Sequence, residues 1–284
     1  MTKIRSSDSS RMDDARGMGG GGGGGFPGGF GIPGGLPVGG GLLGVIVLLA
    51  SLFLPKLMNS TTATATGTPI AAQTPGAACT TPLEQVVCGV TNDVQDFWST
   101  ELPTVFGVQY EPTRTRLFDQ PMPSGCGTAS PETGPFYCPV DRLVYIDLGF
   151  MQQIEQQFVG ATSDLAEQYI VAHEYGHHIQ NLLGTNDQGH SNAQGPGSVS
   201  IELQADCYAG VWVGDANRRG LLDSPTEIQE AIKAAEAVGD DRIQQATTGR
   251  VDPETWTHGS AAQRHQAFIT GFDSIDPKAC AIGN

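Results

Sequence analysis

The sequence predicts an α-rich α+β domain, and three observations carry that expectation. Two β-rich stretches, Val105–Phe118 and Leu143–Leu148, precede a long amphipathic segment, Asp164–Leu183. Helical periods follow it, with N-cap signatures at Ser224 and Ser260. A glycine-rich head and an apolar run precede the domain and differ from it sharply in composition.

Residues 1–37 are dominated by glycine, unbroken from Gly19 to Gly25, with Pro27, Pro33 and Pro37. Such a composition buries too little apolar surface to offset chain entropy, so a disordered tail is expected. Residues 38–58 are apolar, and from Leu36 to Met58 only Lys56 is charged. About 20 such residues cross the roughly 30 Å of a hydrocarbon core. One transmembrane helix over 38–58 is the expectation, against a buried core helix or a leader cleaved near Ala63-Thr64-Ala65. Lys3, Arg5, Arg11 and Arg16 precede it, which places the tail in the cytoplasm and the domain outside a single-pass membrane protein. Residues 59–78, rich in Thr, Ala, Pro and Gly, read as a linker, leaving 79–284 as the folded domain.

Within that domain Val86, Val87, Val90, Val94 and Phe97 recur at helical spacing from Leu83 to Trp98, with Pro103 as a stop. The two strand stretches follow. Asp164–Leu183 has Asp164 and Glu167 at capping-box spacing and Gly184 as its stop. Leu165, Tyr169, Ala172, Gly176, Ile179 and Leu183 form its core stripe. A helix over Val199–Arg219, one from Pro225 to about Thr248, and one from Ser260 to Gly271 complete the order.

All six cysteines lie beyond the apolar run, which fits an oxidising compartment. Fifteen pairings are open to six cysteines; Cys126/Cys138 and Cys79/Cys88 are the local pairs, leaving Cys207/Cys280. No Cys-x-x-Cys pair occurs, so a cysteine zinc cluster is not expected. The net charge of −15 argues against a nucleic-acid partner.

The chemistry centres on His173-Glu174-Tyr175-Gly176-His177. Histidines four apart on a helix share a face and can aim at one ion, with Glu174 beside them to take a proton from water. The third ligand is expected downstream: Glu202 leads, with Asp206 one turn on to fix an imidazole tautomer from behind. His190 competes from a Gly- and Ser-rich loop. His258 or Arg264 is the candidate oxyanion donor, and His178 and His265 are expected to be structural.

With those residues in place, the chain resembles the neutral zinc metallopeptidase family of membrane-anchored bacterial proteins, the YpfJ-like group. The likeness lies in the Gly-rich head, Gly125-Cys126-Gly127, Gly134-Pro135-Phe136-Tyr137-Cys138-Pro139, Val144-Tyr145-Ile146-Asp147-Leu148 and Ala172-His173-Glu174 with Gly176-His177-His178. It continues in Glu202-Leu203-Gln204-Ala205-Asp206-Cys207, Ala209-Gly210-Val211-Trp212, Gly239-Asp240-Asp241-Arg242, Thr257-His258-Gly259 with Gln263-Arg264, and Gly271-Phe272-Asp273. Cys79, Cys88 and Tyr175 depart from the pattern without touching the ligand set. The resemblance implies a zincin-like fold, glutamate as third ligand and one zinc ion per chain.

The residues point to hydrolysis of a peptide or protein substrate. By analogy with related folds, an extended substrate is expected along Leu143–Leu148 as an edge strand. The alternative is a non-catalytic, metal-stabilised extracytoplasmic binding module. A structural zinc site, however, usually closes all four positions with Cys and His.

Overall fold

The computed structural model describes residues 3–17, 78–130, 133–154, 164–185, 196–222 and 225–281. In chain order these form β1 (Met12–Asp14), α1 (Pro82–Phe106), β2 (Arg114–Phe118), β3 (Met122–Ser124), β4 (Gly127–Ala129), β5 (Phe136–Cys138), β6 (Leu143–Asp147), α2 (Leu148–Ile154) and α3 (Asp164–Leu183). Then follow α4 (Pro196–Arg218), α5 (Pro225–Ala237), α6 (Asp240–Thr248) and α7 (Ala261–Ser274). The α-rich α+β expectation holds.

The main sheet runs β1-β2-β6-β5, with β1, β2 and β6 parallel and β5 antiparallel to β6. The β3–β4 hairpin stands apart and is tied to the end of β5 by Cys126–Cys138. Helices pack against the main sheet around fully buried Trp98, Trp212, Tyr169, Tyr175 and Phe268. β6 is therefore an interior strand with neighbours on both sides, which corrects the expectation that Leu143–Leu148 is an edge; β1 and β5 are the outer strands.

Several boundaries differ from expectation for local reasons. Helix α1 opens on a Thr81–Glu84 capping box and runs through Pro103 to Gly107, where the chain turns left-handed. Pro103 sits in the last turn, and the carbonyl it leaves unpaired belongs to exposed Ser99, so the missing donor costs little there. The expected single helix after Ser224 is broken at Gly239, whose extended backbone caps the next helix and whose missing side chain lets the Ala261 backbone nitrogen approach. The break creates a fresh helix N-terminus at Asp240.

The largest correction concerns the head. Residues 3–17 are not a free tail: Ile4 and Met12 are buried in the main core and β1 adds a strand to the sheet. The span expected over 38–58 and the linker up to residue 77 lie outside the described residues. Among the described residues no helix is long and apolar enough to cross a membrane. All three disulfides take the expected pairing, Cys79–Cys88, Cys126–Cys138 and Cys207–Cys280.

Candidate metal centre

Helix α3 supplies His173 and His177 and helix α4 supplies Glu202. Their approach depends on Gly176, where a Cβ would lie 2.9 Å from the Ala205 backbone. Only a glycine lets the two helices touch at that level, and it sits between the ligands in sequence.

His173 Nε2 lies 3.2 Å from Glu202 Oε2, and His177 Nε2 lies 3.6 Å from Glu202 Oε1. The three ligand atoms all fall within 4.8 Å of one another. Tetrahedral ligands held about 2.05 Å from zinc stand roughly 3.3 Å apart, so these spacings already suit one ion.

The other ring nitrogens are taken. His173 Nδ1–H donates to Asp206 Oδ1 at 2.8 Å, and His177 Nδ1–H donates to Gln180 Oε1 at 2.8 Å. Both imidazoles thus present Nε2 lone pairs to the same point, the second-sphere arrangement expected of ligating histidines. Gln180 is itself anchored, donating to Ile201 O at 2.7 Å and Gln204 Oε1 at 3.0 Å, which braces α3 against α4. The donor set fits zinc: two imidazoles, one carboxylate, and no fourth protein ligand among the described residues.

Asp206 is fully buried and accepts Arg264 Nε and Nη2, both at 2.8 Å, as well as the Tyr169 hydroxyl. Burial opposes its charge, yet Arg264 and His173 hold its carboxyl down at about 2. Burial likewise works against a charged His173, but Asp206 and Glu202 raise it to about 10. His177 is raised in the same way by Glu202, and Glu202 is driven well below the carboxylate range, against burial, by His177 and His173. The pocket therefore attracts positive charge strongly, and a divalent ion taking the Nε2 positions displaces protons.

Glu174 is buried beside the ligands, and burial raises its carboxyl while His173, His177 and the backbone N–H of Tyr137 work to lower it. Tyr137 belongs to the edge strand β5. Its hydroxyl accepts Asn181 Nδ2 at 2.9 Å and donates to His178 Nδ1 at 3.1 Å, which pins the strand to α3. His178 Nε2–H donates to Glu111 O at 2.8 Å, and burial pulls its ring down to about 4, so it is a neutral structural residue as expected. His265, at 2.8 Å from Glu236 Oε1, is also structural.

The two oxyanion candidates part company. Arg264 is only 3 % exposed and spends its guanidinium on Asp206, the Tyr169 hydroxyl and Val238 O. It braces Asp206 from behind, which corrects the expectation that it could meet a substrate. His258 stays near the centre, where its imidazole is among the groups acting on Glu202. It is held by Asp240, whose Oδ2 accepts the backbone N–H groups of Thr257, His258 and Gly259 at 2.8, 2.7 and 3.0 Å. The Asp240 Oδ1 lies 3.3 Å from His258 Nδ1.

Sequence reasoning missed Gln180, Tyr169, Tyr137 and Asp240. Gln180 and Tyr169 had a signal, standing on the same helix one turn after His177 and one turn before His173; Tyr137 and Asp240 come from other elements and stood only within segments that carry the family resemblance. The competing ligand His190 lies outside the described residues.

A family model described as "putative neutral zinc metallopeptidase" matches residues 1–282. An uncharacterized protein of Mycobacterium tuberculosis (strain ATCC 25618 / H37Rv), Rv2575, is 49% identical over 205 residues, covering 68% of each chain. The uncharacterized protein YpfJ of Escherichia coli (strain K12) is 40% identical over 193 residues, covering 66% of each. No solved structure matches the chain. With the histidine pair, the glutamate and their supports in place, the family match has a physical counterpart: the chain belongs to the neutral zinc metallopeptidase family.

Proposed function

We propose that the chain hydrolyses peptide bonds with zinc held by His173, His177 and Glu202. The observation that carries the reading is the convergence of two Nε2 atoms and a carboxylate on one point, with the Glu174 carboxylate buried against the same histidines. Zinc bound there supplies a Lewis acid for the scissile carbonyl and acidifies the attacking water.

The rest is the work of side chains. Glu174 takes the water proton, and its raised carboxyl is suited to pass that proton to the leaving amine. His258, oriented by Asp240, donates to the developing oxyanion, a contribution on the order of a few kcal/mol. Antiparallel β5 is the strand on which an extended peptide can lie, because the Tyr137 N–H directed at Glu174 registers that strand to the general base. The three disulfides support an extracytoplasmic reading of the domain, because such bonds persist in oxidising compartments.

Glu174→Gln tests the core of the reading. The variant is expected to retain zinc, measured by elemental analysis, and to lose hydrolysis of casein. Undiminished hydrolysis sinks the assignment, whereas loss of zinc removes Glu174 from the role of a pure base.

A further inference from the structure

The segment Lys3–Gly17 lies on the domain as a strap, and the domain is shaped to receive it. β1 pairs with β2 in parallel register, Met12 opposite Thr115 and Asp14 opposite Leu117. Arg5 grips both carboxylate oxygens of Asp164, each at 2.7 Å, at the first residue of the ligand-bearing helix α3. Arg16 bridges Asp14 at 2.7 Å and Glu84 at 2.5 Å, and Arg11 reaches Asn92 O at 2.7 Å and Asp96 at 2.6 Å. Arg114 and Arg116 on β2 return the pairing to Asp13.

The fit extends to the backbone. In α1, a Cβ on Gly89 would stand 2.6 Å from Ile4 O and 2.8 Å from Arg5 Cα. Gln168, in the interior of α3, donates to Ile4 O at 3.3 Å. A helix that keeps glycine where the strap crosses, and a buried amide that meets the strap's carbonyl, form a seat for this segment.

We infer that the strap and the metal-bearing domain occupy the same compartment, with Gly17 and Ala78 on one side of any membrane. Both ends of that interval rest on one domain, since Ala78 is buried in the same core as Ile4 and Met12. The apolar run Leu36–Met58 is about one helical span long, and two spans would need roughly 40 apolar residues. A docked strap is at odds with the expected single-pass anchor, which would put the N-terminus and the domain on opposite sides of a membrane. The basic residues that would have oriented such an anchor are engaged with acidic groups of the domain instead: Arg5 with Asp164, Arg11 with Asp96, and Arg16 with Glu84.

The test uses the full chain carrying one epitope tag ahead of Met1 and another after Asn284, expressed in a bacterium and exposed to protease as spheroplasts. The inference expects both tags to be lost together while a cytoplasmic marker survives. An N-terminal tag that survives when the C-terminal tag is digested overturns it. Survival of both tags would keep the strap with the domain and would count instead against an extracytoplasmic location. A second measurement reads docking by sign. Alanine stabilises a helix interior relative to glycine, so Gly89→Ala raises Tm if the strap is absent from its seat. With the strap seated the added methyl meets Ile4 O and Tm falls; a rise in the full chain overturns the inference.

Discussion

Asp206→Asn is the most informative single change, because it keeps shape and removes one charge from a sealed network. The carboxylate receives two bonds from Arg264, one from His173 and one from Tyr169, with no exposure. An amide cannot accept all of these, and it leaves the Arg264 guanidinium buried without a counter-ion. Breaking one side of a buried pair costs about 3–5 kcal/mol. For a domain of this size that is a fall in Tm of roughly 6–20 °C. His173 also loses the acceptor that fixes its tautomer, which should weaken zinc binding by about 10–100-fold. Thermal melts with excess zinc and with chelator, and competition against a chromophoric chelator, separate the two effects. Adding Arg264→Met removes the orphaned charge, so stability should partly return while zinc affinity stays low. A variant with wild-type Tm and wild-type affinity would refute the argument that Asp206 organises the centre.

Three further outcomes follow from the geometry. Gly176→Ala drives a methyl into the Ala205 backbone at 2.9 Å; overpacking costs about 1–3 kcal/mol against about 1 kcal/mol of helix propensity. Glu202 should be pushed off its position, and zinc competition should show a looser site; a more stable variant with unchanged affinity would contradict this. Asp240→Asn keeps an acceptor for the 257–259 turn but removes the charge beside His258 Nδ1. Casein turnover should fall about tenfold, a loss near 1.4 kcal/mol, with zinc content unchanged; parallel loss of zinc would show a merely structural role. Glu84 is buried, and although burial opposes its charge, Arg16 and the Thr80 and Thr81 donors hold its carboxyl down at about 2, from 4.5. That depression contributes about 3 kcal/mol present above pH 4.5 and lost as pH falls toward 2. Melts between pH 5 and 3 should lose about 2 kcal/mol of this increment in wild type and much less in Glu84→Gln; equal slopes would dismiss the pair.

The metal ligands and their general base were legible in the sequence because helical periodicity converts a four-residue spacing into a shared face. Glu202 and Asp206 were legible for the same reason, being one turn apart among apolar neighbours. Arg264 was misassigned because its sequence position, near the start of the helix that follows His258, says nothing about the direction of a long side chain. That direction is set by Asp206, which is distant in sequence. The head was misread for a related reason. Composition between Gly19 and Pro37 is that of a disordered tail, but it says nothing of the short stretch ahead of it, where sparse apolar residues such as Ile4 and Met12 gain meaning only against a surface. Strand order was likewise invisible, so the interior strand β6 was taken for the edge that β5 provides.

The Cys207–Cys280 bond adds a matter of timing. Cys207 follows Asp206 directly, and the bond closes a loop of 73 residues that contains Asp240, His258 and Arg264. Closing such a loop limits the unfolded chain by about 4 kcal/mol, an increment withheld while the thiols are reduced. The residues that brace His173 and orient His258 thus lie in a loop whose closure onto the ligand helix is reinforced by oxidation. A newly made chain carries its motif histidines from the start, but this reinforcement of the framework around them comes only once Cys207 and Cys280 are oxidised.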